Sequence, residues 1–155
     1  MKNPRSKPIK KVPKRTLEEM DHGELETLLD NEISFAVRGA AALRAGTAII
    51  KCYTCSTSDH WKNLDAGHFV SRRYRAVRWD FRNIRAQCRL CNRFLEGQKK
   101  VFEERLAKED PIALADIRFL AATYNTSKMP PQWLIEQIRA WRTKNARLGK
   151  KLKTI

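Results

Sequence analysis

The sequence lacks any long apolar run. No stretch approaches the ~18 uncharged apolar residues that a membrane-spanning helix needs, although 42 % of the 155 residues are hydrophobic. The first fifteen residues contain no apolar block of the kind that a secretory signal peptide carries. We therefore expect a cytoplasmic protein that does not enter a membrane and that has length for one modest core.

Acidic residues are also scarce. The chain has 17 of them against 32 lysines and arginines, which leaves a formal charge of +15. This excess favours a polyanionic partner, nucleic acid first, because each neutralised phosphate releases counterions and adds affinity that does not depend on base sequence. The positive charge is concentrated in residues 1–15, 66–100 and 139–155. We interpret residues 1–15 as a flexible basic arm, with a solubility tail as the alternative interpretation of either terminus.

Cysteine is infrequent, but its four copies are ordered in pairs. Cys52 and Cys55 form one C-x-x-C unit, Cys88 and Cys91 form another, and residues 56–87 lie between them. A reducing compartment would keep these thiols free, which argues against disulfides. Two such units predict a structural zinc ion bound by four thiolates, and the alternative is four thiols without a common ligand. The intervening segment is longer than in a simple zinc ribbon, so we expect it to hold a strand hairpin.

The remaining pattern predicts an α+β fold. After the arm comes a helical N-terminal segment, 16–46, in which Thr16 and Glu19 have capping-box spacing and apolar residues recur every three or four positions. Residues 47–98 would form the zinc-bound core, and residues 99–155 a C-terminal helical segment with a basic tail. Extended pieces are predicted at 47–53, 65–70 and 76–81, and helices at 101–107, 112–124 and 132–148.

Three polar residues in and beside the insertion form a candidate catalytic constellation. His68 lies near a predicted strand end, Asn83 follows fifteen positions later, and Asn92 directly follows Cys91. The order of these three residues relative to the two C-x-x-C units resembles that of the HNH, or ββα-metal, nuclease site. The longer string C-x-x-C, A-G-H-F, S-R-R, R-W-D-x-R-N, Q-C-x-x-C-N and E-G-Q is similar to the NinG family of lambdoid phages, also called Rap.

This resemblance implies a small ββα-metal (HNH-like) core that is stabilised by a structural zinc ion and flanked by N- and C-terminal α-helices. It implies a phage recombination endonuclease that works in the host cytosol and cuts branched DNA, such as Holliday junctions and D-loops, with Mg²⁺ or Mn²⁺. By the same resemblance His68 activates water, Asn83 holds the imidazole through its side-chain oxygen, and Asn92 helps to bind the catalytic metal. The role of His68 also follows from its chemistry, since imidazole titrates near neutral pH and can accept a proton from water.

One position departs from the pattern. Many HNH enzymes carry a metal-binding His or Asp immediately before the base, whereas Gly67 stands there and has no ligand atom. Asp65 would share that side of a strand, so its carboxylate is the predicted replacement, with Asp59 and Glu96 as poorer candidates. Carboxylate and amide oxygens favour Mg²⁺ or Mn²⁺ over a second zinc. Outside this frame, His68 would be interpreted as a structural residue and the two asparagines as a helix cap and a turn residue.

Arginine predominates among the basic residues around the proposed site. Its planar guanidinium suits bidentate phosphate contacts, so we predict binding to branched duplex DNA through shape rather than base sequence. Tyr74, Trp79 and Phe81 could stack on opened bases, although the alternation of Trp79 and Phe81 is more typical of core residues. The two-fold symmetry of a junction makes a homodimer attractive, but the sequence does not show one. The predicted DNA-binding residues are Arg72, Arg73, Arg75, Arg78, Arg82, Arg85, Arg89 and Arg93.

Two other functions remain compatible with the sequence. A non-catalytic zinc module that binds nucleic acid, as a recombination mediator or regulator, would explain the cysteines and the charge if Gly67 marks a degenerate site. An RNA-binding, ribosome-associated zinc protein would explain the charge but would assign no role to His68. Cleavage of branched DNA that is lost when His68 is replaced separates the endonuclease from both.

Overall fold

The computed structural model describes residues 15–124 and 128–155. The elements confirm the predicted α+β class, and among the described residues no helix is both long and apolar enough to cross a bilayer. The helices are α1 (His22–Ala45), α2 (Arg75–Arg78), α3 (Lys99–Glu109), α4 (Pro111–Thr123) and α5 (Pro131–Lys151), and the strands are β1 (Ile49–Lys51), β2 (Ser58–His60), β3 (Asp65–His68) and β4 (Ile84–Gln87). Single 3-10 turns lie at Leu17–Glu19, Phe81–Asn83 and Leu152–Thr154, and a π-helical turn lies at Leu90–Phe94. Of the predicted basic arm, only its last residue, Arg15, lies within the described residues.

The local sequence sets both ends of α1. Asp21 accepts a hydrogen bond from the backbone N–H of Glu24 at 2.9 Å, and the Glu24 carboxylate accepts from the N–H of Asp21 at 2.8 Å. Gly46 ends the helix in the left-handed conformation, with φ 64°. This confirms the predicted helix end near Gly46. The predicted capping contact between Thr16 and Glu19 is present as well, at 2.7 Å, but it opens only a single 3-10 turn.

The strands form two antiparallel hairpins rather than one sheet. β1 pairs with β2, and β3 pairs with β4 in a register that places Asp65 opposite Gln87. The prediction of an extended piece at 76–81 is wrong, because α2 and a 3-10 turn form in this part of the chain. Val77 and Trp79 are both buried, but they enter different hydrophobic clusters. Their alternation therefore reflects a chain that passes between two cores, not a strand.

The N- and C-terminal helical segments share one core. Leu25, Leu29 and Ile33 of α1 pack against Leu134 and Ile138 of α5. This core also includes Trp79 from the second half of the segment that connects β3 to β4, and Ile84 at the start of β4. A second cluster joins α3 and α4 to that connecting segment. The helices thus pack on the central region from two sides and set its position. The boundaries proposed for the N-terminal, central and C-terminal segments stay predictions.

Candidate functional site

The two C-x-x-C units come together into one cluster. The four sulfur atoms lie within 4.8 Å of one another, none is in a disulfide, and Sγ of Cys55 lies 3.8 Å from Sγ of Cys88. A tetrahedral ion with Zn–S bonds of ~2.3 Å would place its sulfurs about 3.8 Å apart. The cluster can therefore hold a zinc ion, as the spacing predicted.

Backbone N–H groups support thiolates in this cluster. The N–H of Cys88 donates to Sγ of Cys52 at 3.2 Å, and Oγ1 of Thr54 lies 3.6 Å from the same sulfur. Burial opposes ionisation of Cys52, but these contacts outweigh it and lower the pKa of this thiol to about 6. Burial and the neighbouring thiols raise the pKa of Cys91 to about 12. A divalent cation would let all four carry charge together, which is the chemistry of a structural zinc site.

A cleft of about 760 Å³ gathers three of the four residues predicted for catalysis and for the catalytic metal. Asp65 and His68 enter it from the two ends of β3, and Asn92 enters from the π-helical turn. Asn83 is absent from its walls and is fully buried. The cleft also has a basic lining, made by Arg38, Lys62, Arg72, Arg89, Arg93 and Lys99.

His68 is held as a neutral imidazole. Its Nε2 lies 2.9 Å from the backbone carbonyl oxygen of Arg78, and because a carbonyl only accepts, Nε2 carries the hydrogen and Nδ1 the lone pair. Burial lowers the pKa of His68 to about 4; the Arg78 carbonyl and Asp30 oppose this shift, and the charges of Arg72 and Lys99 add to it. At neutral pH the ring therefore presents Nδ1 as a proton acceptor.

Acidification should destabilise the protein through His68 between pH 6.5 and pH 4. In this window the unfolded chain binds a proton that the folded protein excludes, whereas above pH 6.5 the ring is neutral in both states. The free energy of unfolding of wild type should fall more than that of His68→Gln, which cannot titrate. Urea unfolding of both proteins at about pH 7.5 and about pH 5 measures this difference. Equal falls, or an NMR titration of His68 near 6.5, would contradict the buried neutral ring.

The structure corrects the expected contact between Asn83 and the imidazole. Oδ1 of Asn83 accepts from the N–H of Val70 at 2.8 Å, while Nδ2 donates to the carbonyls of Val70 and Val77 at 3.0 and 2.9 Å. The reason lies in the register, because the Asn83 carbonyl accepts from the N–H of Phe69, one residue past His68. The side chain thus reaches into the loop beyond β3. Asn83 ties this loop together, and the loop in turn presents the carbonyl that orients His68.

Two acids on α1 anchor the same loop, and the sequence analysis missed them. The Arg78 guanidinium donates to Glu26 at 2.9 Å and to Asp30 at 2.8 Å. Trp79 Nε1 also donates to Asp30 at 2.8 Å, and Arg75 donates to Glu26 at 2.6 Å. The sequence signal that could have pointed to this role is the pair of carboxylates, Glu26 and Asp30, which lie one helical turn apart beside the apolar face of α1. A helix outside the segment that carries the cysteines therefore fixes the backbone that orients the imidazole.

The two predicted metal ligands, Asp65 and Asn92, are in hydrogen-bond contact, but Asp65 also has another partner. Asn92 Nδ2 donates to Asp65 at 3.1 Å, while Arg93 donates to both carboxylate oxygens at 2.7 and 2.8 Å. Burial disfavours the charged carboxylate, but these hydrogen bonds outweigh it and hold the pKa of Asp65 below its usual range. Within residues 15–124 and 128–155, only the cysteines bring three or more His, Cys, Asp or Glu ligand atoms close enough for an ion. Of the poorer candidates, Glu96 lines the cleft and Asp59 does not.

Gln87 explains why a glycine precedes His68. A Cβ atom at Gly67 would lie 1.8 Å from Oε1 of Gln87. Gln87 is fully buried, and its Nε2 donates to Thr54 at 2.8 Å and to the carbonyl of Gly97 at 2.9 Å. Its carboxamide thus occupies the space where a metal-binding side chain at position 67 would begin. The departure from the HNH pattern is therefore built into the packing of the hairpin.

Most of the predicted DNA-binding arginines are ion-paired within the chain. Three of them, Arg75, Arg78 and Arg85, have side chains only 24, 15 and 14 % exposed. Their acidic partners lie 24 or more residues away, so the structure gives them an internal role that composition did not indicate. Arg73 and Arg89 make no ion pair with the part of the chain described. The pairs are Arg72–Asp30, Arg75–Glu26, Arg78–Glu26, Arg78–Asp30, Arg82–Asp80, Arg82–Asp116, Arg85–Glu109 and Arg93–Asp65.

Comparison with known proteins places this site in a phage family. The model of the bacteriophage lambda NinG protein family matches residues 33–154, which is most of the chain and includes the four cysteines, His68, Asp65 and Asn92. No curated protein and no solved structure gives a significant match. The chain belongs to the bacteriophage lambda NinG protein family.

Proposed function

We propose that this NinG-family chain is a metal-dependent endonuclease that cuts branched DNA during phage recombination, with Holliday junctions and D-loops as substrates. The observation that carries the proposal is the neutral His68 ring, which lies in one cleft with Asp65 and Asn92. The β3–β4 hairpin and the helical turn after it, joined through the cysteine cluster, would form the ββα-metal frame of the HNH superfamily.

The residues of the chain support water-mediated hydrolysis of a phosphodiester. Nδ1 of His68 would accept a proton from the attacking water. The water oxygen then bonds to phosphorus as the bond between phosphorus and the 3′ oxygen breaks. The Nε2–H contact with the Arg78 carbonyl fixes the ring and stabilises the imidazolium that forms. Lys99, which also lines the cleft and donates to the carbonyls of His68 and Phe69, provides positive charge beside the scissile phosphate.

The donor set in the cleft fits a hard divalent cation. Asp65 and Asn92 offer a carboxylate and an amide oxygen from side chains in hydrogen-bond contact, the ligand types preferred by Mg²⁺ and Mn²⁺. Such an ion, when bound, supplies Lewis-acid stabilisation of the phosphate oxygens. Arg93 neutralises Asp65 in this structure, so exchange of that partner would free its guanidinium for a DNA phosphate.

Branched DNA also suits the basic surface of the cleft. Arg72 and Arg93 have side chains that are 63 and 58 % exposed, and Arg89 and Lys99 line the same wall. These cations would bind phosphates of converging strands without reading bases. A junction offers two equivalent strands, so two copies of the chain on one junction belong to the proposal.

Cleavage of synthetic DNA tests this function. A Holliday junction and a linear duplex of matched sequence are incubated with the zinc-loaded protein and Mg²⁺, Mn²⁺ or no added divalent ion. We expect ion-dependent strand cleavage of the junction, roughly tenfold or more faster than that of the duplex, which corresponds to about 1.4 kcal/mol of selectivity. Absence of cleavage with every ion contradicts the endonuclease, and equal cleavage of both DNAs contradicts branch selectivity.

A non-catalytic zinc module is the second candidate, and one observation favours it. Both oxygens of Asp65 are bound by Arg93, so the expected metal ligand is already satisfied by a protein cation. Such a module would bind branched DNA equally well with and without Mg²⁺ and would leave every strand intact. The same incubations, analysed on native and denaturing gels, separate the two functions.

A further inference from the structure

Three large apolar side chains project into solvent from the π-helical turn. Leu90, Phe94 and Leu95 are 58, 75 and 44 % exposed, and Phe94 is the most exposed large hydrophobic residue in the described part of the chain. Single exposed apolar residues are ordinary, but three within six positions are more than isolated exposure and make this turn a candidate contact surface. We call Leu90, Phe94 and Leu95 the apolar ridge.

The apolar ridge is continuous with the candidate site. Asn92 and Arg93, which lie between Leu90 and Phe94 in the sequence, contact Asp65 inside the cleft. The turn that bears the ridge therefore lines the cleft with one set of residues and presents the ridge with the other. Phe94 does not line the cleft itself, but it directly follows Arg93, which does, so a phosphate bound by Arg93 would have its neighbouring groups near Phe94.

The base of the ridge is rigidly held. The N–H of Leu95 donates to the Leu90 carbonyl at 3.0 Å, and the N–H of Gly97 donates to the carbonyl of Cys91 at 2.8 Å, which ties the turn to the cysteine cluster. Gln87 fixes the Gly97 carbonyl from the opposite side. Because the backbone is anchored at these points, the apolar side chains cannot fold back into a core and stay presented to a partner.

The charges around the ridge favour a nucleic acid as that partner. In the sequence Arg89 precedes the ridge, Arg93 lies within its span, and Lys99 and Lys100 follow it, with Glu96 as the one acid in residues 89–100. Phosphates would bind these cations while an apolar surface meets a base, which is the combination that single-stranded nucleic acid requires. A second copy of the chain is a poorer occupant, because a two-fold contact would bring the same arginines together on two molecules of charge +15.

We infer that the apolar ridge stacks on a nucleobase left unpaired at a DNA branch and so distinguishes branched DNA from a continuous duplex. Aromatic side chains stack on the exposed bases of single-stranded nucleic acid, whereas a duplex exposes a base face only after a base step has been unstacked at a cost of a few kcal/mol. The inference rests on the proposed function insofar as branched DNA is the partner. It adds the feature of the protein that recognises the branch.

Fluorescence of 2-aminopurine tests the ridge without requiring cleavage. The probe is placed at the branch of a three-way junction and at the same sequence position in a linear duplex, and zinc-loaded protein is added without Mg²⁺ or Mn²⁺. We expect wild type to raise the emission of the junction probe only. Phe94→Ala should abolish this rise and weaken junction binding roughly tenfold or more, with unchanged binding to the duplex, while Phe94→Trp should preserve both properties.

The matched control is Phe119→Ala on α4. Phe119 is 62 % exposed, but it lies on α4 and not on the turn that carries Asn92 and Arg93, so this variant should behave as wild type. The ridge inference is overturned if Phe94→Ala and wild type give the same emission and affinity, or if sedimentation shows that Phe94→Ala only disrupts a homodimer. Because no strand has to be cut, a negative result here leaves the endonuclease proposal standing, and a failed cleavage assay leaves this test intact.

Discussion

Removal of zinc from the four-cysteine cluster should unfold the centre of this protein. The cluster joins the segment after β1 to the segment after β4, and structural zinc sites contribute about 10–16 kcal/mol, comparable to the total stability of about 5–15 kcal/mol of a typical domain. We expect one zinc per chain by elemental analysis. A strong chelator should lower the melting temperature by more than about 15 °C or remove the cooperative transition, and added zinc should restore it.

Substitutions at Cys55 provide the control. Cys55→Ser removes a thiolate and should reproduce the effect of the chelator. Cys55→His replaces it with another zinc ligand, and since Cys3His sites are common, this variant should retain zinc and most of the thermal stability. A melting curve that does not respond to the chelator would show that the four thiols merely pack together.

Replacement of His68 by alanine should reduce cleavage of branched DNA by about 10²- to 10⁴-fold, the usual contribution of a general base. The structure leaves Nδ1 as the acceptor and keeps the ring neutral, so alanine at this position removes the proposed proton acceptor. Junction affinity without added divalent ion should stay close to that of wild type. Single-turnover cleavage and a gel-shift assay measure the two quantities separately.

His60→Ala is the matched control for this variant. His60 lies in β2 and does not line the cleft, and its Nδ1 accepts from the backbone N–H of Lys62, so its loss should leave the cleavage rate unchanged. Equal rates for His68→Ala and wild type would remove His68 from the mechanism. A parallel loss of junction affinity would assign it to binding or folding instead.

The parts of the site that follow from the sequence are those in which chemistry is local. The two C-x-x-C units predict the sulfur cluster because a tetrahedral ion demands short spacings within each pair. Asp65 and His68 share one strand, and Asn92 adjoins the cluster through Cys91, so the three residues reach the same cleft. The end of α1 at Gly46 was equally predictable, since its signal is one left-handed residue.

The parts that could not be predicted depend on contacts between distant residues. Arg78 looked like a DNA ligand because its partners, Glu26 and Asp30, lie about fifty positions earlier in a segment that held no motif. The resemblance to the HNH pattern assigned Asn83 to the imidazole, whereas the register of the hairpin directs its amide to Val70. Composition records how many charges a chain has, but only packing decides which of them neutralise one another.

The anchoring of Arg78 on α1 has a consequence for any attempt to transplant the proposed catalytic centre. A fragment that begins at residue 47 would keep all four cysteines, His68, Asp65 and Asn92, yet it would leave the Arg78 guanidinium without the counter-charges of Glu26 and Asp30. It would also expose the apolar face of α5 that packs against α1. We therefore expect a transplanted centre to need the chain from Asp21 through Lys151.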